Sequence, residues 1–277
     1  MELKKRLLTG AEPLLGAFLG LPSPALTEMI GLAGFDFAIL DAEHGAFDLA
    51  RIEECLRAAT SIGISCVVRV GELNSHAIQT VLDLGAEGIQ VPQVESAEEA
   101  REAVEFSHFS PAGMRGFGSA TRAADYGFHP RSRVIADARE KTVVCVQIES
   151  RAGVENLPAI VDTPGVDVVF IGTSDLSLAY GLDSPTDPKV NALVDEMVPT
   201  IVKARKVAGI YSGDRSRQDH LLRIGVRYFT VAAGILAKEA FQQATQSFAG
   251  MKAKSFAETA AQSNQSQGRS VALRPQK

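Results

Sequence analysis

The chain has 277 residues, 45% of them hydrophobic, and a formal charge of −5, so it can bury one large core. Its Lys and Arg are scattered among acids and make no basic stripe for nucleic acid. No run reaches the roughly 18 apolar residues of a membrane span, and the start, Met-Glu-Leu-Lys-Lys-Arg, has no signal-like apolar core behind it, so a soluble cytoplasmic protein with neither membrane nor nucleic-acid partners is expected.

Short β-branched or apolar runs alternate with amphipathic stretches along the chain. That is the pattern of repeated βα units around a parallel sheet. Eight strands are expected: Leu14-Leu19, Phe35-Leu40, Ile64-Arg69, Gly88-Val91, Thr142-Ile148, Asp167-Ile171, Gly209-Tyr211 and Arg227-Val231. Eight such units close into a (β/α)8 barrel, for which about 250 residues is a common size.

Helix starts are marked at Ser23-Pro24, Asp48, Asn74-Ser75, Ser96-Ala97-Glu98-Glu99 and Ser174-Asp175, because short polar side chains cap the free amides of a first turn. The connection Ser110 to Asp125, with Pro111, Gly113, Gly116 and Gly118, is long for a turn and is expected to be an active-site loop. Cys55, Cys66 and Cys145 have no CxxC spacing and read as buried thiols of a reducing compartment. Residues 1–250 are expected to form the barrel domain. Residues 251–277, which include Gln262-Ser263-Asn264-Gln265-Ser266-Gln267-Gly268, are expected to form a polar, mobile tail.

In a barrel of this kind functional groups gather at the C-terminal ends of the strands. Those ends carry Asp41-Ala42-Glu43-His44-Gly45, Arg69, Gln147 with Glu149, and Gly172-Thr173-Ser174-Asp175. Period-two alternation puts Gln147 and Glu149 on the inward side, and Asp41 and Arg69 inward on their own strands. Glu149 and Asp175 end neighbouring strands and make a seat for a hard divalent cation such as Mg²⁺ or Mn²⁺, with positions left for substrate.

Arg69 suits a substrate carboxylate, since its planar fork binds two oxygens; an ion pair with Asp41 or Glu149 is compatible with that role in the empty enzyme. His44 follows Asp41 by three residues, so that carboxylate can orient one ring nitrogen while the other moves a proton. Asp41 as a cap of the following turn and Glu43 as a surface carboxylate are the alternatives there. The turn Gly172-Thr173-Ser174-Asp175 leads into a helix whose first amides can take a second anionic oxygen. His76, His108, His129 and His220 are read as structural or solvated.

The segments Phe35-Asp36-Phe37-Ala38-Ile39-Leu40-Asp41-Ala42-Glu43-His44, Val67-Val68-Arg69-Val70, Pro111-Ala112-Gly113-Met114-Arg115-Gly116, Val146-Gln147-Ile148-Glu149 and Phe170-Ile171-Gly172-Thr173-Ser174-Asp175-Leu176-Ser177 resemble those of the HpcH/HpaI class II aldolases. The resemblance implies a metal-dependent aldolase that uses pyruvate or a related 2-oxo acid and releases an aldehyde from a 4-hydroxy-2-oxo acid. It also implies a homo-oligomer, a trimer of dimers with the last helix exchanged between partners.

Carried onto this chain, the resemblance gives Glu149 and Asp175 the metal (Mg²⁺, Mn²⁺ or Co²⁺). It gives Arg69 the carboxylate and enolate, with help from the amides near Gly172, Ser174 and Asp175. It makes His44, oriented by Asp41, the acid/base group, and sets Gln147 beside the metal or its ligands. Phe117 and Tyr211 stand where smaller or aliphatic residues often line the aldehyde pocket. Thr173-Ser174 stands where Pro-Ala is frequent, a change that leaves the backbone amides in place.

The lysines argue against a Schiff-base mechanism: Lys141 precedes a strand, and Lys189, Lys203, Lys206 and Lys238 fall on helices. Two other readings compete. One is a CoA-thioester lyase of the malyl-CoA or citramalyl-CoA type, with Arg115 and Arg122 meeting the CoA phosphates; the other is a barrel that only binds a small acid.

Overall fold

The computed structural model describes residues 3–10, 12–213 and 215–270. The chain divides between Ala233 and Gly234 into two units. In the first unit eight parallel strands, β1 (Leu14–Leu19), β2 (Phe37–Asp41), β3 (Ser65–Arg69), β4 (Gly88–Val91), β5 (Val143–Ile148), β6 (Val168–Ile171), β7 (Val207–Tyr211) and β8 (Val226–Ala232), close in chain order into a barrel. This is the expected (β/α)8 fold, and the strand positions agree with the sequence reading to within a few residues.

Strand alternation divides the apolar residues into two cores. Phe37, Ile39, Val67, Val143, Cys145, Val168, Phe170, Val207 and Tyr228 fill the inside of the barrel. Ala38, Leu40, Val68, Val144, Val146, Ile148, Val169 and Ile171 face the surrounding helices. A strand buried on both sides needs apolar residues at successive positions, which is why β5 reads Val-Val-Cys-Val before its first polar residue. All three cysteines are buried free thiols.

The largest inner side chains, Phe37 and Tyr228, stack with ring centroids 4.3 Å apart. Glycines on the flanking strands make room for them. A Cβ at Gly16 would lie 2.1 Å from the Phe37 ring, and one at Gly209 would lie 2.9 Å from Tyr228 and 3.0 Å from Phe170.

The N-terminal end of the barrel is closed by a helix that the sequence reading did not anticipate. Leu3 and Leu7 of α1 (Leu3–Thr9) are buried in the inner core. Lys4 Nζ lies 2.9 Å from both the Thr142 carbonyl and Asp167 Oδ2, and Arg227 donates to the carbonyls of Leu7 and Gly10. Side chains of α1 thus fill the N-terminal end of the barrel.

Caps at Ser23, Asp48 and Asn74 and a capping box at Ser96–Glu99 stand where expected. The helix marked by Ser174-Asp175 instead starts at Thr173, with Gly172 at the cap position.

The connection Ser110–Asp125 departs from its expectation. It follows the helix Ala97–Ser107 rather than a strand, and a helix-to-strand connection lies on the N-terminal face. Its anchors are there: Arg115 pairs with Asp83 at 2.6 Å, Gly116 donates its amide to Gln79, and Arg122 donates to the Leu84 carbonyl and to Thr60. This loop therefore lines a cavity with Glu87 and Thr142, the residues leading into β4 and β5.

One helix, Ala233–Ser270, begins at the last residue of the first unit and makes up the described part of the second. It passes through Gly250 without a break, so the composition change expected to begin a tail at residue 251 does not coincide with a helix end; its Ala, Lys, Glu and Gln are good helix formers. Residues 271–277 of that expected tail lie outside the described residues. No described helix is long and apolar enough to cross a membrane.

Two outcomes are expected from this packing. Gly16→Ala should cost roughly 1–3 kcal/mol through overpacking against Phe37, read as a lower thermal midpoint; an unchanged midpoint would mean that the inner core repacks freely. His108 is buried, its Nδ1 has no hydrogen-bond partner among the described residues, and burial followed by Lys4, Arg115 and Arg139 lowers its pKa to about 4. The native state keeps it neutral, so stability should fall as pH drops from about 6.5, the ordinary histidine value, towards 4. The difference in urea midpoint between wild type and His108→Leu should carry that slope, and parallel pH curves would show that His108 contributes nothing to it.

Candidate active site at the mouth of the barrel

Asp41 and Arg69 are the last residues of β2 and β3 and face each other in register. Arg69 Nε donates to Asp41 Oδ1 at 2.9 Å and Nη2 to Oδ2 at 2.7 Å, a bidentate pair with both residues buried. The guanidinium also lies 4.9 Å from the centroid of the Phe18 ring, and Glu43 Oε2 sits 3.0 Å from Nη1. Burial works against the Arg69 charge, but Asp41, Glu43 and Glu149 outweigh it and raise the pKa. The cation is thus permanent and held in one plane, and Nη1 and Nη2 keep N–H groups for a substrate carboxylate.

Asp41 does not orient the His44 ring as expected. Its Oδ1 accepts the backbone N–H groups of Glu43 and His44, both at 3.2 Å, so it caps the turn while its other contacts go to Arg69. The carboxylate near the ring belongs to Glu43, with Oε1 3.9 Å from His44 Nε2. Burial raises the Glu43 pKa while Arg69 and His44 oppose that. His44 itself is exposed at the rim, its side chain 65% accessible.

Across the mouth Glu149 follows β5. Gln90 donates to Gln147, and Gln147 donates to Glu149 Oε2. The Gln93 amide donates to Glu149 Oε1 at 2.9 Å. Gly172 allows this approach, since a Cβ there would lie 2.4 Å from Glu149 Oε2. Burial pushes the Glu149 carboxyl up to about 7, with Asp175 and Glu43 adding to the rise and the two donors opposing it. Asp175 is exposed in the first turn of the helix Thr173–Ala179.

These groups share one cavity of about 300 Å³, whose lining includes Asp41, His44, Arg69, Gln147, Glu149, Gly172, Ser174, Asp175 and Tyr211. That size is at the small end of ligand sites, roughly 300–1,000 Å³, and suits a small organic acid. Phe117, expected in the pocket, is not there. It packs edge-on against Phe109 with centroids 5.6 Å apart, under the Arg131 guanidinium, in the cavity on the N-terminal side. The reason is the course of its loop after a helix.

The sequence reading missed Phe18, Gln90 and Gln93 and gave Glu43 little weight. Phe18 was within reach of strand parity, as the third inward residue after Leu14 and Gly16. Gln90 lies in register with Arg69, but only the pairing of β4 with β5 brings it against Gln147.

The donor set fits a hard divalent cation. Glu149 and Asp175 line the same cavity; burial is the main cause of the raised Glu149 pKa and repulsion from Asp175 adds to it, and a bound cation would offset both. Among the described residues no group of three or more His, Cys, Asp or Glu side chains is arranged to hold a metal. The protein would therefore supply two carboxylates and leave the remaining positions to substrate and water. The arginines considered for CoA phosphates are committed elsewhere: Arg115 is buried against Asp83 and Phe109, and Arg122 is tied to Leu84 and Thr60.

Comparison with known proteins agrees with this geometry. A family model described as HpcH/HpaI aldolase/citrate lyase matches residues 14–237. A hydroxypyruvate/pyruvate aldolase of Deinococcus radiodurans is 36% identical over 233 residues, 83% of each chain. A 4-hydroxy-2-oxo-heptane-1,7-dioate aldolase of Klebsiella pneumoniae is 36% identical over 233 residues, 83% of this chain and 86% of that one. The crystal structure of an HpcH/HpaI aldolase/citrate lyase family protein from Burkholderia cenocepacia is similar with a TM-score of 0.83 and 33% identity, covering 89% of this chain and 98% of that one. The match spans all eight strands and every residue of the mouth site: the chain belongs to the HpcH/HpaI aldolase/citrate lyase family and is a carbon–carbon lyase of the aldolase type.

Proposed function

We propose that the protein is a divalent-metal-dependent aldolase that reversibly cleaves a 4-hydroxy-2-oxo acid to an aldehyde and pyruvate or a related 2-oxo acid such as hydroxypyruvate. The observation that carries this reading is one cavity holding a locked arginine on β3 opposite two carboxylates after β5 and β6. Arg69 binds the substrate carboxylate through the N–H groups that Asp41 leaves available, and its fixed charge lies close to the oxygen that becomes negative. The amides of Ser174 and Asp175 assist.

Glu149 and Asp175 would hold Mg²⁺, Mn²⁺ or Co²⁺, which when bound supplies Lewis-acid stabilisation of the developing enolate. His44 takes the proton from the 4-hydroxyl, directly or through a water. The C3–C4 bond then breaks with its electrons retained on C3 and the 2-oxo group, the aldehyde leaves, and a proton returned to C3 completes the 2-oxo acid. Glu43, between Arg69 and the His44 ring, is the positioning carboxylate for that histidine. Gln147 and Gln90 hold Glu149 in place.

Assembly into a trimer of dimers with exchange of the last helix belongs to the same reading. It is supported by exposed Phe241, Phe248 and Met251 on the helix that starts at Ala233.

Exchange of the pyruvate methyl protons in D₂O, followed by NMR after chelation and again after adding Mg²⁺ or Mn²⁺, tests the half-reaction without knowledge of the aldehyde. Metal-dependent exchange is expected; its absence in a folded, metal-supplied sample sinks the reading. Arg69→Lys keeps the charge but loses the planar fork, and should lower kcat/KM for exchange by roughly 100-fold, as expected for loss of a charge-assisted pair worth about 3 kcal/mol. Glu149→Gln should chiefly weaken metal binding, seen as a rise of at least roughly tenfold in the calorimetric dissociation constant. An unchanged constant would remove Glu149 from the ligand set.

A further inference from the structure

The wall of the site on the β7 side is thin. Tyr211, the last residue of β7, and Thr173 line the site cavity, and both also line a second cavity of about 280 Å³ behind it. That annex lies between the outer face of β7, where Ile210 points, and the helices Pro188–Lys203 and Arg215–Ile224, which contribute Val194 and Leu221. Pro185 and Thr186 form its exposed rim.

Polar groups around the annex are engaged by the protein itself. Asn191 donates to the Thr186 carbonyl at 3.0 Å, and Arg217 pairs with Asp195 at 2.7 Å, with His220 3.0 Å from the same oxygen. The surface left for an occupant is therefore chiefly apolar. Well-packed proteins keep few voids of this size, and this one opens beside the reacting centre.

Topology indicates what part of the substrate would reach it. In an eight-stranded closed barrel β3 and β7 are four strands apart whichever way one counts, so they are diametrically opposed. A substrate held by its carboxylate at Arg69 on β3 extends its far end across the mouth towards Tyr211. In a 4-hydroxy-2-oxo acid that far end is the substituent on C4, which leaves with the aldehyde.

We propose that this annex binds the C4 substituent, and that the acceptor aldehydes carry an uncharged, apolar chain or ring of several carbons. The inference rests on the enolate reading of the mouth site, with Tyr211 and Thr173 as the passage between the two cavities. Asp195 neutralises Arg217, so among the described residues lining the annex there is no unpaired cation for a terminal carboxylate.

The test is aldol addition of pyruvate to straight-chain aldehydes from acetaldehyde to hexanal, with succinic semialdehyde as the charged comparison, in wild type and Thr186→Trp. Thr186 is exposed at the rim, so the indole should fill the annex without disturbing a core. Pyruvate proton exchange in each sample reports whether the enolate site is intact. In wild type kcat/KM should rise by roughly tenfold or more from propanal to hexanal, as apolar burial in a pocket allows. In Thr186→Trp the rise should disappear while exchange and acetaldehyde addition stay unchanged.

Exchange without any chain-length dependence overturns this inference alone, as does a preference for the semialdehyde over pentanal, which would make Arg217 an anion anchor. A chain-length preference that survives in Thr186→Trp also overturns it, because the chain would then lie elsewhere. No exchange in wild type overturns the enolate reading and this inference with it.

Discussion

Closure of the barrel is the constraint from which the rest follows. With β8 paired to β1 there is no free edge, and every strand residue faces either the inner core or the helices. The inward set carries Phe37, Tyr228 and the glycines that give them room, and at its upper end it must turn polar, because beyond the last apolar layer lies solvent. Asp41, Arg69, Gln90, Gln147 and Glu149 are those upper inward positions. Their burial without neutralisation would be costly, and the structure meets the cost by pairing them across neighbouring strands.

The pairing has a direction. On the β2–β3 side one cation is matched with Asp41 and Glu43, and the guanidinium rests against Phe18. On the β5–β6 side Glu149 has, among the described residues, only amide donors, and its carboxyl is pushed towards neutrality by burial and by Asp175 and Glu43. One half of the mouth thus holds the fixed cation, and the other half carries carboxylate without an ion-pair partner among the described residues. A small anionic substrate and a divalent cation together would satisfy both halves, and this makes the geometry suited to enolate chemistry.

Stability and chemistry are kept at opposite ends. The helix Leu3–Thr9, the Lys4–Asp167 pair and the loop carrying Arg115 and Phe117 close the N-terminal face. The opposite face is left to the βα loops, as in other barrels of this architecture. The annex behind Tyr211 belongs to that open face, so differences in acceptor preference can be placed there without touching the plug or the inner core.

The eight strands and the inward placing of Asp41, Arg69, Gln147 and Glu149 were legible in the sequence, because strand parity is local: each residue's side follows from its neighbours two positions away. Parity also brought Asp41 close to Arg69. It could not say that Asp41 would spend its oxygens on Arg69 and the turn amides rather than on the His44 ring, nor that Gln90 would meet Gln147. Those contacts join residues 28 and 57 positions apart and exist only through the register of neighbouring strands. The loop of Phe117 was misplaced for a related reason: Pro and Gly mark a loop, but the face it occupies depends on whether a helix or a strand precedes it in the closed fold. By itself the sequence determined which residues face inward and which chemistry they carry; the tertiary structure decided which of them touch, because hydrogen-bond partners are chosen across strands and periodicity acts only along them.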